Sequence, residues 1–268
     1  MSELLVPGMH EPEPDPDEAI HRNQPYIEFS HVYKTFDRPI LVDISFQIMP
    51  GETLAIIGRS GVGKSVSLQH IMGFLKPDSG RIKVAYTDIT DMKESQLREI
   101  RKKVTMVFQS GALFDSLTVG ENIEFSLELR DDYDDENKHE VVRGLLAMVE
   151  LEDYADVYPT DLSTGHKRAV AIARALAAQP ECVLYDEPTT MVDPIMGDHL
   201  GTLMLRLKTQ LKLTSVVVTH DLGLMRRVAD KVVILHEGKA IYFGPVSELE
   251  KSTHPHIQEF LAMDRVDA

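Results

Sequence analysis

Short apolar runs separated by turn chemistry recur along most of the chain. Leu54–Ile57, Val104–Phe108, Cys182–Tyr185 and Ser215–Thr219 are mostly apolar or β-branched, the pattern of strands buried on both faces. Ile27–Val32 alternates apolar and polar positions instead, as does Ile40–Ile48, which predicts half-buried strands on either side of the turn Asp37-Arg38-Pro39. Met49-Pro50-Gly51-Glu52 is a second turn, and Arg81–Tyr86 reads as a further short strand after the loop Lys76–Gly80. Helical spacing covers Val66 to about Phe74, Val119–Leu129, His139–Leu151, His166–Ala178 and Ile195–Leu211. Lys231–His236 and Ala240–Phe243 flank Glu237-Gly238 as a hairpin. Strands alternating with helices predict an α/β fold with a mostly parallel sheet and helices on both faces. Residues from about 111 to 165 break that alternation and read as a helical insertion, with the charge run Asp131–Glu136 as a solvated loop inside it.

Composition narrows the class. At 43% apolar residues the 268-residue chain can bury a substantial core. Its formal charge of −15 argues against a nucleic-acid partner, because no basic excess is present to neutralise phosphates. Residues 1–24 include Glu11–Glu18, where proline alternates with carboxylates, and are expected to be a disordered acidic tail. Residues 25–246 form the expected main domain and 247–268 a helical tail, in which Ile257, Phe260 and Leu261 share one face. The single cysteine, Cys182, sits in an apolar run and reads as a core residue. There is no apolar stretch long enough to span a bilayer and no secretory signal, so the chain is expected to be soluble by itself.

One stretch carries the chemistry. Gly58-Arg59-Ser60-Gly61-Val62-Gly63-Lys64-Ser65 lies between the Leu54–Ile57 strand and the helix that opens at Val66. In that context the loop reads as a phosphate cradle, with glycine N–H groups and a helix N-terminus turned toward an anion. Lys64 would reach the β- and γ-phosphates and the Ser65 hydroxyl would hold Mg²⁺. The Cys182–Tyr185 strand ends in Asp186-Glu187. Asp186 fits a Mg²⁺ partner beside Ser65, and Glu187 fits a base or orienter for an attacking water.

Leu162-Ser163-Thr164-Gly165-His166, about twenty residues before Asp186-Glu187, resembles the Leu-Ser-Gly-Gly-Gln signature of ABC-type ATPases. The resemblance covers roughly Ile27 to Gly244. It implies a P-loop ATPase core of mostly parallel sheet with an antiparallel β-subdomain and an inserted helical subdomain. It also implies an adenine-stacking role for Phe36, a Mg²⁺-sensing role for Gln109, a D-loop role for Asp193 and a γ-phosphate contact for His220. Lys64, Gln109, Glu187 and His220 are then the catalytic set. Ser163 and Gly165 would contact the γ-phosphate of a partner copy, so the resemblance implies a homodimer that closes on ATP and Mg²⁺ and docks on membrane permease subunits. Thr164 and His166 depart from the signature, and Thr164 adds a branched side chain where glycine allows close approach. The loop with His70–Gly73 and Leu75–Gly80, together with Phe243–Leu261, is most similar to the Mla and MCE-associated ATPases. That likeness implies phospholipid cargo, a lipid-binding MCE partner, a small cytoplasmic accessory subunit and a place on the cytoplasmic face of a bacterial inner membrane. The alternatives are a transporter of another substrate or an ABC-type ATPase uncoupled from transport.

Overall fold

A computed structural model describes residues 21, 23–127 and 135–264. The expected acidic tail lies almost wholly outside these residues, as do positions 131–134 of the charge run and 265–268 of the C-terminal tail. Two sheets organise the described chain. Strands β1 (Ile27–Thr35), β2 (Pro39–Ile48), β4 (Ser79–Val84) and β5 (Thr87–Asp88) form an antiparallel sheet in the order β2-β1-β4-β5. Strands β3 (Thr53–Ile57), β6 (Val104–Val107), β7 (Cys182–Asp186), β8 (Thr214–Thr219), β9 (Lys231–His236) and β10 (Lys239–Pro245) form the second, in the order β10-β9-β3-β8-β7-β6. Its members are parallel except β10, which closes the edge as the antiparallel arm of a hairpin.

All five residues of β3 and all six of β8 are buried, which is why neither strand alternates polar with apolar positions: Leu54–Ile57 and Val216–Val218 are apolar and the remaining positions are Thr or Ser. Period-two alternation then sorts each strand between two cores. Val183, Tyr185 and Val217 face a cluster formed with the helices α3 (Val119–Leu127), α4 (Asp135–Met148), α5 (Thr164–Ala177) and α6 (Pro194–Leu211). Cys182, Leu184, Val216 and Val218 face a second cluster that takes in Phe29, Phe46 and the rest of the antiparallel sheet, with the rings of Phe29 and Phe46 stacked at 4.4 Å. The alanine-rich face of α5 lets α3 and α4 approach closely; ten of its residues are buried. A third, smaller cluster seats the end of the chain. Ile257 and Leu261 of α9 (Pro255–Asp264) pack on Ala55 and Ile57 of β3, Val232 and Ile234 of β9, and Leu222 and Met225 of α7 (Leu222–Val228).

Several boundaries move from their sequence expectations. The helix after the glycine loop, α1 (Lys64–Ile71), starts inside that loop and ends before Phe74, because Gly73 takes a left-handed φ of 66°. β4 runs from Ser79, since Ser79 pairs with Tyr33, and stops before Ala85 and Tyr86, whose φ values of 47° and 64° turn the chain. α2 (Glu94–Lys103) has no counterpart in the hydrophobic pattern. Only Leu97 and Ile100 of its ten residues are buried, three apart on one face, and the other eight are polar or charged, so the apolar stripe is too short to stand out as a run. Asp135 and Glu136, read as loop, are the first turn of α4. The expected contact of the tail face is made with its own chain by Ile257 and Leu261, and α8 (Val246–Leu249) links β10 to it.

Candidate functional site

The C-terminal ends of β3, β7 and β8 meet at one rim, where open parallel sheets hold their ligands. Each strand delivers a different side chain there. β3 feeds the glycine loop and α1. At Gly63, the N-cap of α1, φ is 107°, and a Cβ would come within 2.7 Å of Leu41 and 3.0 Å of the Ile40 carbonyl. Only glycine lets the loop tuck against β2 there. Lys64, 8% exposed, curls back so that its Nζ donates to the carbonyls of Gly58 at 2.8 Å and Arg59 at 3.3 Å.

β7 ends in Asp186, and the chain then turns sharply at Glu187, whose φ of 49° is left-handed for a residue with a side chain. The Glu187 N–H donates to the Val218 carbonyl at 2.8 Å, which fixes that turn on β8. Asp186 Oδ1 accepts a hydrogen bond from the Ser65 hydroxyl at 3.0 Å. Burial holds the Asp186 carboxyl above its ordinary range and the Glu187 charge adds to this, while Ser65 and Lys64 oppose it. A partly buried carboxylate beside a hydroxyl is a hard-oxygen pair, and both oxygens suit Mg²⁺.

Glu187, 13% exposed on its side chain, is the most connected carboxylate of the rim. Its Oε1 lies 3.3 Å from Lys64 Nζ, and its Oε2 accepts from Thr190 Oγ1 at 3.1 Å and pairs with His220 Nδ1 at 2.8 Å. His220 follows β8 directly, and Asp221 rather than His220 caps the next helix by accepting from Leu224 N at 2.9 Å. His220 is thereby free to face Glu187.

These groups open onto a cleft of about 920 Å³ lined by Phe36, the glycine loop, Gln109, Glu187 and His220. Phe36, half exposed on the β1–β2 turn, stands at its apolar side with Ile40 and Val66. Gln109 is exposed just beyond β6, in a loop whose Gly111 and Ala112 carbonyls accept from the Arg174 guanidinium of α5 at 3.0 and 2.8 Å. Val62 of the loop packs into the core beneath.

Five sequence-predicted site residues are not among those lining this cleft: Val62 and Asp186, the latter bonded to the lining residue Ser65, and Ser163, Gly165 and Asp193. Ser163 caps α5 by accepting from His166 N at 3.2 Å, and Asp193 caps α6 by accepting from Met196 N at 3.0 Å. Gly165 is buried against α6, where a Cβ would fall 2.0 Å from Met196 Cγ. Met191 and Ile195, on either side of Asp193, are among the most exposed apolar side chains of the described residues.

Other groups at the site carried no sequence signal. Buried Asn122 donates to the carbonyls of Phe114, Leu117 and Thr118 and accepts from Phe114 N, holding the segment between Gln109 and α3. Phe260 of α9 lines the cleft itself, and Glu259 pairs with Arg59 of the glycine loop at 2.9 Å. Both are distant in sequence and ordinary in type.

Comparison with known proteins agrees with this rim. The ABC transporter family profile matches residues 41–190. The chain is 39% identical over 234 residues to the methionine import ATP-binding protein MetN of Corynebacterium diphtheriae, covering 85% of this chain and 68% of the relative. It is 38% identical over 244 residues to MetN 2 of Pseudomonas entomophila, covering 89% and 73%. Among solved structures, the dimeric post-hydrolysis state of the ATP-binding cassette MJ0796 bound to ADP and Pi superposes with a TM-score of 0.76 at 32% identity, over 82% of this chain and 98% of that one. CbiO1 of Clostridium perfringens, part of the cbiONQ transporter complex, superposes with a TM-score of 0.79 at 27% identity, over 90% and 97%. The narrower likeness to Mla and MCE-associated ATPases is not carried by these relatives. The chain belongs to the ABC transporter family as an ATP-hydrolysing subunit that uses ATP and Mg²⁺.

Proposed function

We propose that the rim built by Lys64, Ser65, Asp186, Glu187 and His220 is the hydrolytic site, and that it drives a membrane permease importing a small solute. The observation that carries this reading is the convergence of Lys64, Glu187 and His220 at one cleft, with Ser65 bonded to Asp186 beside them. Lys64 and the loop amides bind the phosphates. Ser65 and Asp186, with Gln109 beside them, hold Mg²⁺. Bound there, the ion neutralises charge on the β- and γ-phosphates. Glu187 then accepts a proton from the attacking water, and His220 orients that carboxylate. In this resting arrangement Glu187 is tied to Lys64, so the lysine must turn to the γ-phosphate before the carboxylate is free to act.

Ser163, Gly165 and Asp193 lie outside the cleft, which supports a site completed by a second copy. Family members dimerise and partner with permease subunits, and among the described residues no helix is long and apolar enough to cross a membrane. In this proposal the permease supplies the path and the chain docks on its cytoplasmic face. The relatives named as methionine import proteins support an importer of a solute of that size. A second reading, phospholipid movement with an MCE partner and a small accessory subunit, rests on the likeness of Leu75–Gly80 and Phe243–Leu261 to that group. Purification of the tagged full chain from its native membrane in mild detergent tests both. A co-purifying solute permease is expected; an MCE protein with bound lipid favours the second reading, and the absence of any membrane subunit overturns transport altogether.

A further inference from the structure

The last described helix, α9, lies against the glycine loop some 200 residues earlier in the sequence. Ile257 and Leu261, four residues apart on one face, are fully and almost fully buried on β3, β9 and α7. That pair suffices to seat the helix. Of the three residues between them, Phe260 is half-buried against the same cluster and also reaches the cleft, while Glu259 finds its partner outside the cluster. Glu259 Oε1 lies 2.9 Å from Arg59 Nη2, and Phe260 enters the lining of the nucleotide cleft beside Gly58, Arg59 and Leu222. The ring of His256, one turn earlier, stacks on His236 at the end of β9 at 4.0 Å and fixes the helix along its length.

We infer that α9 is a wall of the ATP site: Phe260 contacts bound nucleotide and Glu259 is a positioning residue that acts through Arg59. This rests on the proposal that the cleft takes ATP. Arg59 is the second residue of the glycine loop, and its carbonyl accepts from Lys64 Nζ at 3.3 Å. Glu259 therefore touches the phosphate lysine through a single intervening residue. The Arg59–Glu259 pair is well exposed, with side chains 62% and 53% accessible, so it adds little to folding. What it does instead is limit the places that Arg59 can occupy at the cleft mouth. Phe260, half-buried, lines the cleft together with Gly58 and Arg59 of the loop.

The test uses the purified full chain, with ATPase kinetics and thermal melting measured together. Phe260→Ala is expected to raise KM for ATP about tenfold, the loss of one large apolar contact. Glu259→Ala is expected to raise it about threefold, the range of an exposed ion pair. In both variants kcat stays close to the parent, because neither side chain touches the attacking water. Glu259→Asp, which keeps the charge facing Arg59, is expected to restore KM toward the parent value. Unchanged KM in both alanine variants overturns the inference, whether or not the melting temperature falls; a fall alone makes α9 a structural prop. Lys64→Ala serves as the separate control, losing ATP binding whatever the tail does. If that variant still binds ATP, the cleft is not the nucleotide site and the failure belongs to that reading.

Discussion

The rim of the parallel sheet and the α5–α6 junction are both built at element ends, yet they spend their polar groups differently. At the rim, side chains bond to one another across strands: Ser65 with Asp186, Lys64 with Glu187, Glu187 with His220. At the junction, Ser163 and Asp193 are consumed by the N–H groups of their own helices, and Gly165 is closed over by Met196. The first region is a network poised to exchange internal partners for a ligand. The second is a rigid edge whose shape is fixed by capping and close packing. A chain that joins two copies around ATP needs both: one surface that reorganises and one that does not.

The largest expected effect separates the two regions. Glu187→Gln keeps the shape of the rim but removes the base, and phosphate release should fall by about 10²–10⁴-fold with ATP binding retained. Ser163→Asp keeps a good N-cap and places a carboxylate where the partner's γ-phosphate is expected. Mixing the two variants should recover part of the turnover, since one site of a mixed pair carries neither change. No recovery on mixing would put both residues in one chain's site and break the comparison.

A smaller effect probes the rigidity of the junction. Gly165→Ala should destabilise the fold by about 1–3 kcal/mol through overpacking on Met196, read by chemical denaturation. In a Met196→Ala background that cost should shrink; an unchanged cost would locate the strain in the backbone instead.

The smallest effect concerns the rim without ligand. Because the folded carboxyl of Asp186 sits above its ordinary pKa, the folded chain retains a proton that the unfolded chain has already released. Stability from this group is greater below its folded pKa and declines as pH rises through the interval between the unfolded and folded values. Asp186→Asn should therefore raise the melting temperature of the nucleotide-free protein at neutral pH while abolishing Mg²⁺-dependent turnover, and the gain should vanish in acid. A lower melting temperature at neutral pH would show that the Ser65 hydrogen bond outweighs burial.

The rim was largely legible in the sequence because its elements are extreme cases. β3 and β8 are buried throughout around the apolar stretches Leu54–Ile57 and Val216–Val218, and the glycine loop and the Asp186-Glu187 pair stand directly at strand ends. The α2 helix was not legible because it buries only two side chains, and the turn at Ala85–Tyr86 uses left-handed residues that composition does not announce. Phe260 and Glu259 escaped for another reason: their work depends on contacts with the glycine loop, about 200 residues away, which no local spacing encodes. Asn122 bonds only to Phe114, Leu117 and Thr118, and a lone asparagine in a helical stretch announces no such role. The cargo was read from short stretches of likeness, and surfaces that never meet the cargo hold no chemistry to correct such a reading.

Two absent methyl groups let β2 lie close to both the glycine loop and the β9–β10 hairpin. β2 is held on one side by Gly63, where a Cβ would meet Leu41 and Ile40, and on the other by Gly238, where φ is 77° and a Cβ would fall 2.8 Å from the Ile40 carbonyl. The Gly238 carbonyl also accepts from Val42 N at 2.8 Å, latching the β9–β10 hairpin onto the antiparallel sheet. Phe36 rides on the turn that β2 follows, so the distance from its ring to the phosphate loop is calibrated like the jaws of a caliper. A side chain at either glycine would open the jaws, and the protein would then measure a molecule longer than the one it is built to hold.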